Sequence, residues 1–320
     1  MSAASGPILV IDGLNVFMRH FVANPTMSNL GHHVGGTVGF LKNVKLLADK
    51  IKPVNIVVVW EGGGAQRRRA IYPEYKVSRR PQKLNRFYGE DLPSTTENRT
   101  DQVSLTVRFL RHAPVLQIYV ADCEADDVIG YLVKHTFSDK ECVIASSDKD
   151  YYQLLSDRVI QWSPGQKKFI TPEDVSEKFE ISVENFCTAR AIIGDSSDNI
   201  PGVKGAGFKT LAKRFPELKN HEFVSVDDII SSSCLLTASS KLKLYERISN
   251  DSEAIRRNWK LMHLGTMNLS GNQIEKISGA LDTFEPSCSK ISLIRALMKE
   301  GIDTFDVDSF YMSINSVVRR

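Results

Sequence analysis

Acidic residues crowd one short stretch of the chain, Asp122-Cys123-Glu124-Ala125-Asp126-Asp127, immediately before an apolar run that begins at Val128. The apolar run predicts a helix, and acids at a helix N-terminus can serve only as caps. Further acids follow other apolar segments, namely Asp12, Glu61, Asp148, Asp150, Asp195 and Asp198. Like charges brought together repel strongly unless something neutralises them, and Mg²⁺ or Mn²⁺ binds oxygen ligands well. The pattern therefore indicates helix caps alone or a shared divalent-metal site.

Apolar segments that read as strands alternate with segments of helical periodicity in the first half of the chain. The predicted strands are 7–11, 55–60, 115–120, 142–145 and an edge strand at 159–162, and the predicted helices include 38–51 and 103–110. Such alternation favours an α/β fold with a mostly parallel central sheet and helices on both faces. Asp12 and Glu61 follow two of these strands, at the edge where α/β sheets bind ligands.

From Thr171 the pattern becomes helical. We predict an α/β core over 1–170 and a helical, DNA-binding and C-terminal region over 171–320. Helices are predicted at 183–193 and 241–261, with a helix boundary or loop at 231–233. Beyond Leu264 the sequence indicates no chemistry.

A basic segment, residues 67–86, holds eight basic residues and a single acidic one, Glu74, with tyrosines interleaved. It has few aliphatic residues, so it cannot build a core of its own. A solvated loop would explain this composition. We favour a nucleic-acid clamp, in which cations meet phosphates and rings meet unstacked bases, because the segment leaves directly from Glu61.

A glycine-rich turn, Gly202-Val203-Lys204-Gly205-Ala206-Gly207, follows Asp198 and precedes a predicted helix. Glycine permits close backbone approach and unusual dihedral angles, and a helix N-terminus can bind phosphate. A turn with nothing bound is the alternative. Nearby positive charge at Lys204, Lys209, Lys213 and Arg214 favours binding of a polyanion.

Composition narrows the cellular setting. The five cysteines form no C-x-x-C pair, which suits a reducing cytoplasm, and for a phage-encoded protein that of the host. No signal peptide and no membrane-spanning run is visible, so we expect no membrane. Asp148 and Asp150 lie two apart, but the glycine and closing glutamate of an EF-hand are missing.

The motifs together resemble the structure-specific 5′-nuclease family, which includes flap endonucleases, the 5′-nuclease domains of bacterial DNA polymerase I and phage 5′-to-3′ exonucleases of the RNase H type. The motifs that carry the resemblance are Asp12-Gly13, Glu124-Ala125-Asp126-Asp127, Ser147-Asp148-Lys149-Asp150 and Gly194-Asp195-Ser196-Ser197-Asp198-Asn199-Ile200-Pro201-Gly202. Tyr72-Pro73-Glu74-Tyr75-Lys76 with Arg79 is similar to the family's arch, here about residues 62–102, through which a 5′ strand threads. The glycine-rich turn is similar to its helix-hairpin-helix motif. The similarity runs from about Ile8 to Phe215 and departs from the family at Glu61, where an aspartate is usual.

The resemblance implies a PIN-like fold and a 5′-3′ exonuclease and flap endonuclease, with RNase H activity as an option, that acts in replication with two Mg²⁺ or Mn²⁺ ions. One metal is assigned mainly to Asp12, Glu61, Glu124 and Asp126, and the other mainly to Asp148, Asp150, Asp195 and Asp198, with Asp127 supporting either. The implied catalytic residues are Lys76, Arg79, Asp12, Asp126 and Asp148. The implied DNA-binding residues are Arg19, Arg68, Tyr75, Lys76, Arg79, Arg80, Lys83, Gly202, Lys204, Gly205, Gly207 and Lys209.

The resemblance also implies a backbone potassium site at Val203 and Gly205, and a monomer that acts on DNA with 5′ flaps, nicks or RNA primers. A single-strand-binding protein or sliding clamp is an expected partner. Two other readings stay open. A PIN-type ribonuclease also uses an acidic cluster on an α/β sheet, although it usually lacks the basic arch and the glycine hairpin. A DNA-structure-binding scaffold with a degenerate site is the non-enzymatic reading.

Overall fold

The computed structural model describes residues 6–78, 95–240 and 242–318. A six-stranded sheet lies at its centre, with the strands in the order β3-β2-β1-β4-β5-β6. The strands are β1 Ile8–Asp12, β2 Asn55–Trp60, β3 Leu116–Tyr119, β4 Cys142–Ala145, β5 Val159–Ser163 and β6 Lys168–Ile170. All neighbouring strands are parallel except β5 and β6. The predicted mostly parallel sheet is confirmed.

The sheet edge differs from the prediction. The segment at 159–162 was expected at the edge, but β5 lies inside the sheet and β6 pairs with its outer side in antiparallel orientation. β6 is only three residues long, and only Ile170 of them is buried. A strand this short carries almost no periodic signal, so the sequence did not reveal it.

Helices surround the sheet. In the described residues they are α1 Gly13–Ala23, α2 Gly35–Ile51, α3 Ala65–Ile71, α4 Thr95–Leu110, α5 Ala125–Tyr131, α6 Pro172–Phe179, α7 Phe186–Ile193, α8 Phe208–Arg214, α9 Val226–Ser239, α10 Lys243–Asn250, α11 Ser252–Met262, α12 Gly271–Asp282, α13 Lys290–Lys299 and α14 Val307–Val318. No helix among these residues is both long enough and apolar enough to cross a bilayer.

The strand β1 shows why both faces of the sheet are covered. Its side chains alternate in direction, so Leu9 and Ile11 join one apolar cluster while Ile8 and Val10 join the other. The cluster of Leu9 contains residues of α1, α2, α4, α13 and α14, and that of Ile8 contains residues of α5 and α7 to α12. The predicted helices on both faces are confirmed.

The helical second half departs from the sequence reading in two places. The serines at 231–233 lie inside α9, where the buried Ser233 donates a hydrogen bond from Oγ to the Ile229 carbonyl at 2.7 Å. Burial thus overrides the weak helix propensity of serine. The single helix predicted at 241–261 is two helices, α10 and α11, which meet at Asp251.

One apolar cluster runs across the predicted domain boundary at residue 170, because it contains strand residues such as Val57 and helical residues such as Phe186 and Ile277. The chain then returns to the other face, where Phe310 of α14 packs in the cluster of Phe40 from α2. The division at 170 remains a prediction, and the apolar core is shared across it.

Candidate active site

Acidic side chains from several elements line one cleft at the carboxyl edge of the sheet. Asp12 ends β1, Glu61 follows β2, and Asp148 lies three residues beyond β4. The register of β1 with β2 and β4 brings these strand ends side by side. Glu124 and Asp126, at the start of α5, line the same cleft, whose volume is about 1490 Å³. The fold therefore gathers five predicted metal ligands around a shared space.

Among the three acids at the strand ends, Asp12 is buried, whereas Glu61 and Asp148 are exposed. Its Oδ1 accepts the Asn15 amide at 3.1 Å and thereby caps α1. Its Oδ2 accepts hydrogen bonds from Ser146 Oγ and Tyr151 OH, both at 3.1 Å. Burial, with some repulsion from Asp148, outweighs these bonds and raises the pKa of Asp12 to about 7. The three neutral donors fix the carboxylate without neutralising it.

Glu61 and Glu124 line the same cleft and repel each other there. Surrounding protein atoms, together with Glu124 and Asp126, raise the pKa of Glu61 to about 7 although its side chain opens to solvent. Glu124 is buried, and both of its carboxylate oxygens lie 2.9 Å from Lys76 Nζ. Burial alone would lower the pKa of Lys76, but Glu124, Asp126 and Asp198 outweigh it and raise that pKa. Lys76 is therefore a charged group held directly at the acids.

Arg68 binds the acidic start of α5. Its guanidinium donates to both carboxylate oxygens of Asp127, at 2.7 and 3.0 Å, and lies 2.9 Å from Glu124 Oε2. Its Nε donates to the Leu261 carbonyl at 2.8 Å, and only 5% of the residue is exposed. Its predicted contact with DNA stays a prediction that does not fit this burial, because its charge is committed to buried acids.

Two further expectations change with this arrangement. Asp127 also accepts from Asn268 Nδ2 at 2.6 Å, so its carboxylate is engaged on the side away from the cleft. A metal-supporting role for Asp127 stays a prediction. Tyr75 is buried, and its OH donates to Glu124 Oε2 at 3.1 Å. Its predicted contact with DNA bases does not fit this burial, and the ring instead lies beneath Lys76, 4.7 Å from Nζ.

A second acidic group lies beside the cleft. Arg190 Nη2 contacts Asp150 Oδ1 at 3.2 Å and Asp195 Oδ2 at 2.5 Å. Burial and Asp148 raise the pKa of Asp150 to about 7, whereas Arg190 and Ser197 outweigh burial and lower the pKa of Asp195. Burial also raises the pKa of Asp148, with Asp126 and Asp198 adding repulsion. Because both Asp126 and Asp198 are close enough to repel Asp148, the acids of the cleft and the acids held by Arg190 are neighbours.

Sequence reasoning missed Arg190. One signal was available, because Arg190 is the only charged residue in the otherwise apolar helix Phe186–Ile193 and precedes Asp195 by five positions. Tyr151 and Ser146, which orient Asp12, were likewise not recognised, since neutral hydroxyls carry no charge pattern.

The donor set fits hard divalent cations. In the described part of the chain, no three acidic, cysteine or histidine side chains already enclose a single point. The cleft is instead lined by oxygen donors that burial and like charge make costly to ionise, including Asp12, Glu61 and Asp148. Cations of high charge density stabilise such ionised carboxylates. Lys76 and Arg68 already offset part of this charge.

The first residues of the basic segment belong to α3. Lys76, five residues after the end of α3, has a left-handed backbone with φ of 58°. Lys76 N donates to the Asp198 carbonyl at 2.9 Å, so the base of the segment is tied to the turn that carries Asp195 and Asp198. Arg79, Arg80 and Lys83 lie outside the described residues. Arg19 is exposed and lines the cleft, as its predicted DNA contact requires.

The glycine-rich turn connects α7 to α8. Gly202 lies against Ile193, Val203 N donates to the Ile192 carbonyl at 2.8 Å, and Gly205 has a left-handed φ of 90°. Lys204 and Lys209 are exposed. The Val203 carbonyl accepts from Ala206 N at 3.0 Å. A potassium ion at Val203 and Gly205, and DNA binding by Gly202, Lys204, Gly205, Gly207 and Lys209, stay predictions.

Comparison with known proteins agrees with this geometry. Residues 7–180 match the family described as 5′-3′ exonuclease, N-terminal resolvase-like domain. A 5′-3′ exonuclease of Buchnera aphidicola is 30% identical over 220 residues, which cover 67% of this chain and 72% of that protein. The flap endonuclease Xni of Shewanella sp. strain MR-4 is 29% identical over 66% of this chain and 79% of its own.

The fold itself has solved counterparts. The T5 D15 protein, whose crystals contained metal ions, superposes with a TM-score of 0.70 at 23% sequence identity. The superposition covers 86% of this chain and 98% of that protein.

Proposed function

The chain belongs to the 5′-3′ exonuclease family and is a metal-dependent 5′ nuclease. From that premise we propose that it hydrolyses, in its acidic cleft, phosphodiester bonds of DNA that carries 5′ flaps, nicks or RNA primers. The observation that supports this most is the convergence of Asp12, Glu61, Glu124, Asp126 and Asp148 on one cleft at the sheet edge. Caps alone would not require acids from three strands and one helix to share a space.

Two Mg²⁺ or Mn²⁺ ions would be held mainly by Asp12, Glu61, Glu124 and Asp126 on one side and by Asp148, Asp150, Asp195 and Asp198 on the other. Such ions supply stabilisation for the negative charge that develops when water attacks a phosphodiester. Ser146, Tyr151 and Arg190 orient these acids through the hydrogen bonds described above.

Lys76 is the group best placed to act on the substrate. Its ammonium lies at the acids and at the base of the basic segment, so it would bind the scissile phosphate and offset charge there. Arg79 would share this role, and Arg19 would bind a phosphate next to the scissile one. The exposed lysines of the glycine-rich turn would bind duplex phosphates, with potassium bridging the turn to DNA.

A panel of 5′-labelled substrates tests the proposal: a flap duplex, a nicked duplex, an RNA–DNA hybrid and single-stranded RNA, each with Mg²⁺ and with chelator. We expect Mg²⁺-dependent cleavage of the flap and nicked duplexes. Cleavage of single-stranded RNA in preference to both would favour the PIN-type ribonuclease. Tight binding of the flap without cleavage in Mg²⁺ or Mn²⁺ would favour the scaffold and contradict the proposal.

A further inference from the structure

A group of cations lines the same cleft beyond its acids. Arg19, Lys50 and Lys167 all belong to the cleft wall, and all three are exposed. Arg19 comes from α1, Lys50 from the last turn of α2, and Lys167 from the turn between β5 and β6. Three separate elements therefore bring positive charge to one place, which we call the cationic shelf.

Strand order fixes where the shelf lies relative to the acids. Along the carboxyl edge, the sheet runs from β2 through β1 and β4 to β5. The basic segment leaves after β2, the acids lie at the ends of β1 and β4, and the turn with Lys167 follows β5. Neighbouring strands are roughly 4.8 Å apart, so the turn with Lys167 is about one nucleotide or two from the acids, on the side opposite the basic segment. Lys50 joins this turn through its contact with Trp162 of β5.

The shelf is built into the fold. Lys50 Nζ lies 4.2 Å from the ring centroid of Trp162 and 5.5 Å from that of Phe169, so two rings of the β5–β6 pair hold it. Lys167 has a left-handed φ of 54°, and its amide donates to the Ser163 carbonyl at 2.8 Å. The turn is thereby fixed at the end of β5.

The shelf also adjoins the acids directly. A Cβ placed on Gly165 would lie 3.6 Å from Arg19 Nη1 and 3.6 Å from Ser147 Oγ. Ser147 directly precedes Asp148, and its amide donates to Asn15 Oδ1 at 2.9 Å. The Arg19 guanidinium, the β5–β6 turn and the acidic loop thus meet at one point.

Among the residues that the structure describes, no carboxylate forms an ion pair with any of the three cations. Nearby Asp49 is taken by Lys45 at 2.9 Å and by Lys52 at 3.7 Å. The positive charge of the shelf is therefore available to a ligand, and a polyanion that spans the cleft would meet it.

We propose that Lys50 and Lys167, together with Arg19, bind consecutive backbone phosphates of duplex DNA on the side of the scissile phosphate away from the basic segment. The inference rests on the proposed function, because it needs DNA in the acidic cleft. The shelf recognises the paired part of the substrate, whereas the basic segment receives the unpaired 5′ part. Neither Lys50 nor Lys167 belongs to a motif of the sequence.

The test compares Lys50→Gln with Lys167→Gln against a control with the same charge change, Lys42→Gln with Lys276→Gln. Lys42 lies on α2, like Lys50, but neither control residue lines the cleft. Binding of a labelled nicked duplex and of a single-stranded oligonucleotide is measured between about 50 and 200 mM KCl, with chelator. Melting curves check that all variants are folded.

For the shelf variant, we expect nicked-duplex affinity to fall on the order of tenfold at low salt and the slope of log affinity against log salt to decrease by about 2. Single-strand affinity should match that of the control. A salt slope equal to the control's, or an equal loss for single strands, overturns the shelf. Flap cleavage by the wild type distinguishes failure of the shelf from failure of the proposed function. If the wild type cleaves flaps with Mg²⁺ but the salt slope of the shelf variant is unchanged, only the shelf is rejected. If the wild type cleaves no flap, the proposed function is rejected.

Discussion

At the scale of single residues, the buried Arg68 and the half-buried Arg190 determine how the acids are held. Arg68 joins α3, the acidic start of α5 and the end of α11 through Asp127, Glu124 and the Leu261 carbonyl. Arg190 holds the second acidic group through Asp150 and Asp195. Each arginine leaves the carboxylates close together without filling the cleft, which is the arrangement that added cations require.

We predict that Arg68→Met lowers the free energy of unfolding by roughly 3–5 kcal/mol, because it leaves Asp127 as an uncompensated buried charge. Chemical denaturation measures this change. The control is Arg256→Met, which removes an exposed ion pair with Asp227 and should cost less than about 1 kcal/mol. Equal effects of the two substitutions would show that Arg68 is not a structural counter-ion.

A buried histidine gives a prediction for pH. His33 Nε2 lies 2.9 Å from the Asn24 carbonyl, and its Nδ1 accepts from Gln102 Nε2 at 2.9 Å in the neutral tautomer. Burial lowers the pKa of His33, whereas the unfolded residue titrates near its ordinary value of about 6.5. The unfolded state therefore binds more protons as pH falls through this range, and stability is lost.

Accordingly, the melting-temperature difference between wild type and His33→Gln should shrink as pH decreases from about 7.5 to about 5.5. Carboxylates that titrate in the same range are present in both proteins, so their contributions cancel in the difference. A difference that stays constant or grows would contradict a neutral buried His33.

At the scale of elements, the glycine-rich turn is defined by contact with the preceding helix. A Cβ on Gly202 would lie 1.8 Å from the Ile193 carbonyl oxygen, which is backbone and cannot rotate away. A Cβ on Gly207, five residues later, would meet nothing within 4 Å. The two glycines thus have different reasons to be glycine.

Gly202→Ala should therefore lower unfolding free energy by roughly 2 kcal/mol or more, since the turn must move away from α7. Gly207→Ala, the matched control in the same turn, should change it by less than about 0.5 kcal/mol. Thermal or denaturant unfolding compares them. If Gly202→Ala were as mild as the control, the close packing of this turn on α7 would be disproved.

At the scale of the whole molecule, the last helix covers one face of the sheet layer. Phe310 of α14 is fully buried in the cluster that contains Phe17 and Leu41, whereas Met312 on the same helix is 73% exposed. Phe310→Ala should cost about 3–5 kcal/mol of unfolding free energy, and Met312→Ala should leave it almost unchanged. Comparable effects from both would mean that α14 does not pack as described.

The sequence predicted the centre of this molecule better than its margins. β1, β2 and β4 were recognisable because buried parallel strands are continuous apolar runs. Asp12, Glu61 and Asp148 lie at the ends of these strands, and the carboxyl ends of parallel strands lie at the same edge of the sheet. The short antiparallel β6 gave too little pattern to detect.

Charge counting also had limits. Arg68 was read as part of a DNA-binding run, because composition does not distinguish a buried cation from an exposed one. Arg190 and the shelf residues Lys50 and Lys167 were missed, since only the folded chain brings them to the acids.

The most direct test of the central claim is the single-turnover rate of 5′-flap cleavage in Mg²⁺ by wild type and by Asp148→Asn with Asp150→Asn. The control is Asp227→Asn with Asp282→Asn, which removes two acids outside the cleft. Our account predicts a loss on the order of a thousandfold or more for the cleft variant, with duplex affinity largely retained and the control unchanged. A cleft variant that cleaves within about a factor of two of wild type would contradict the metal-binding role of these carboxylates.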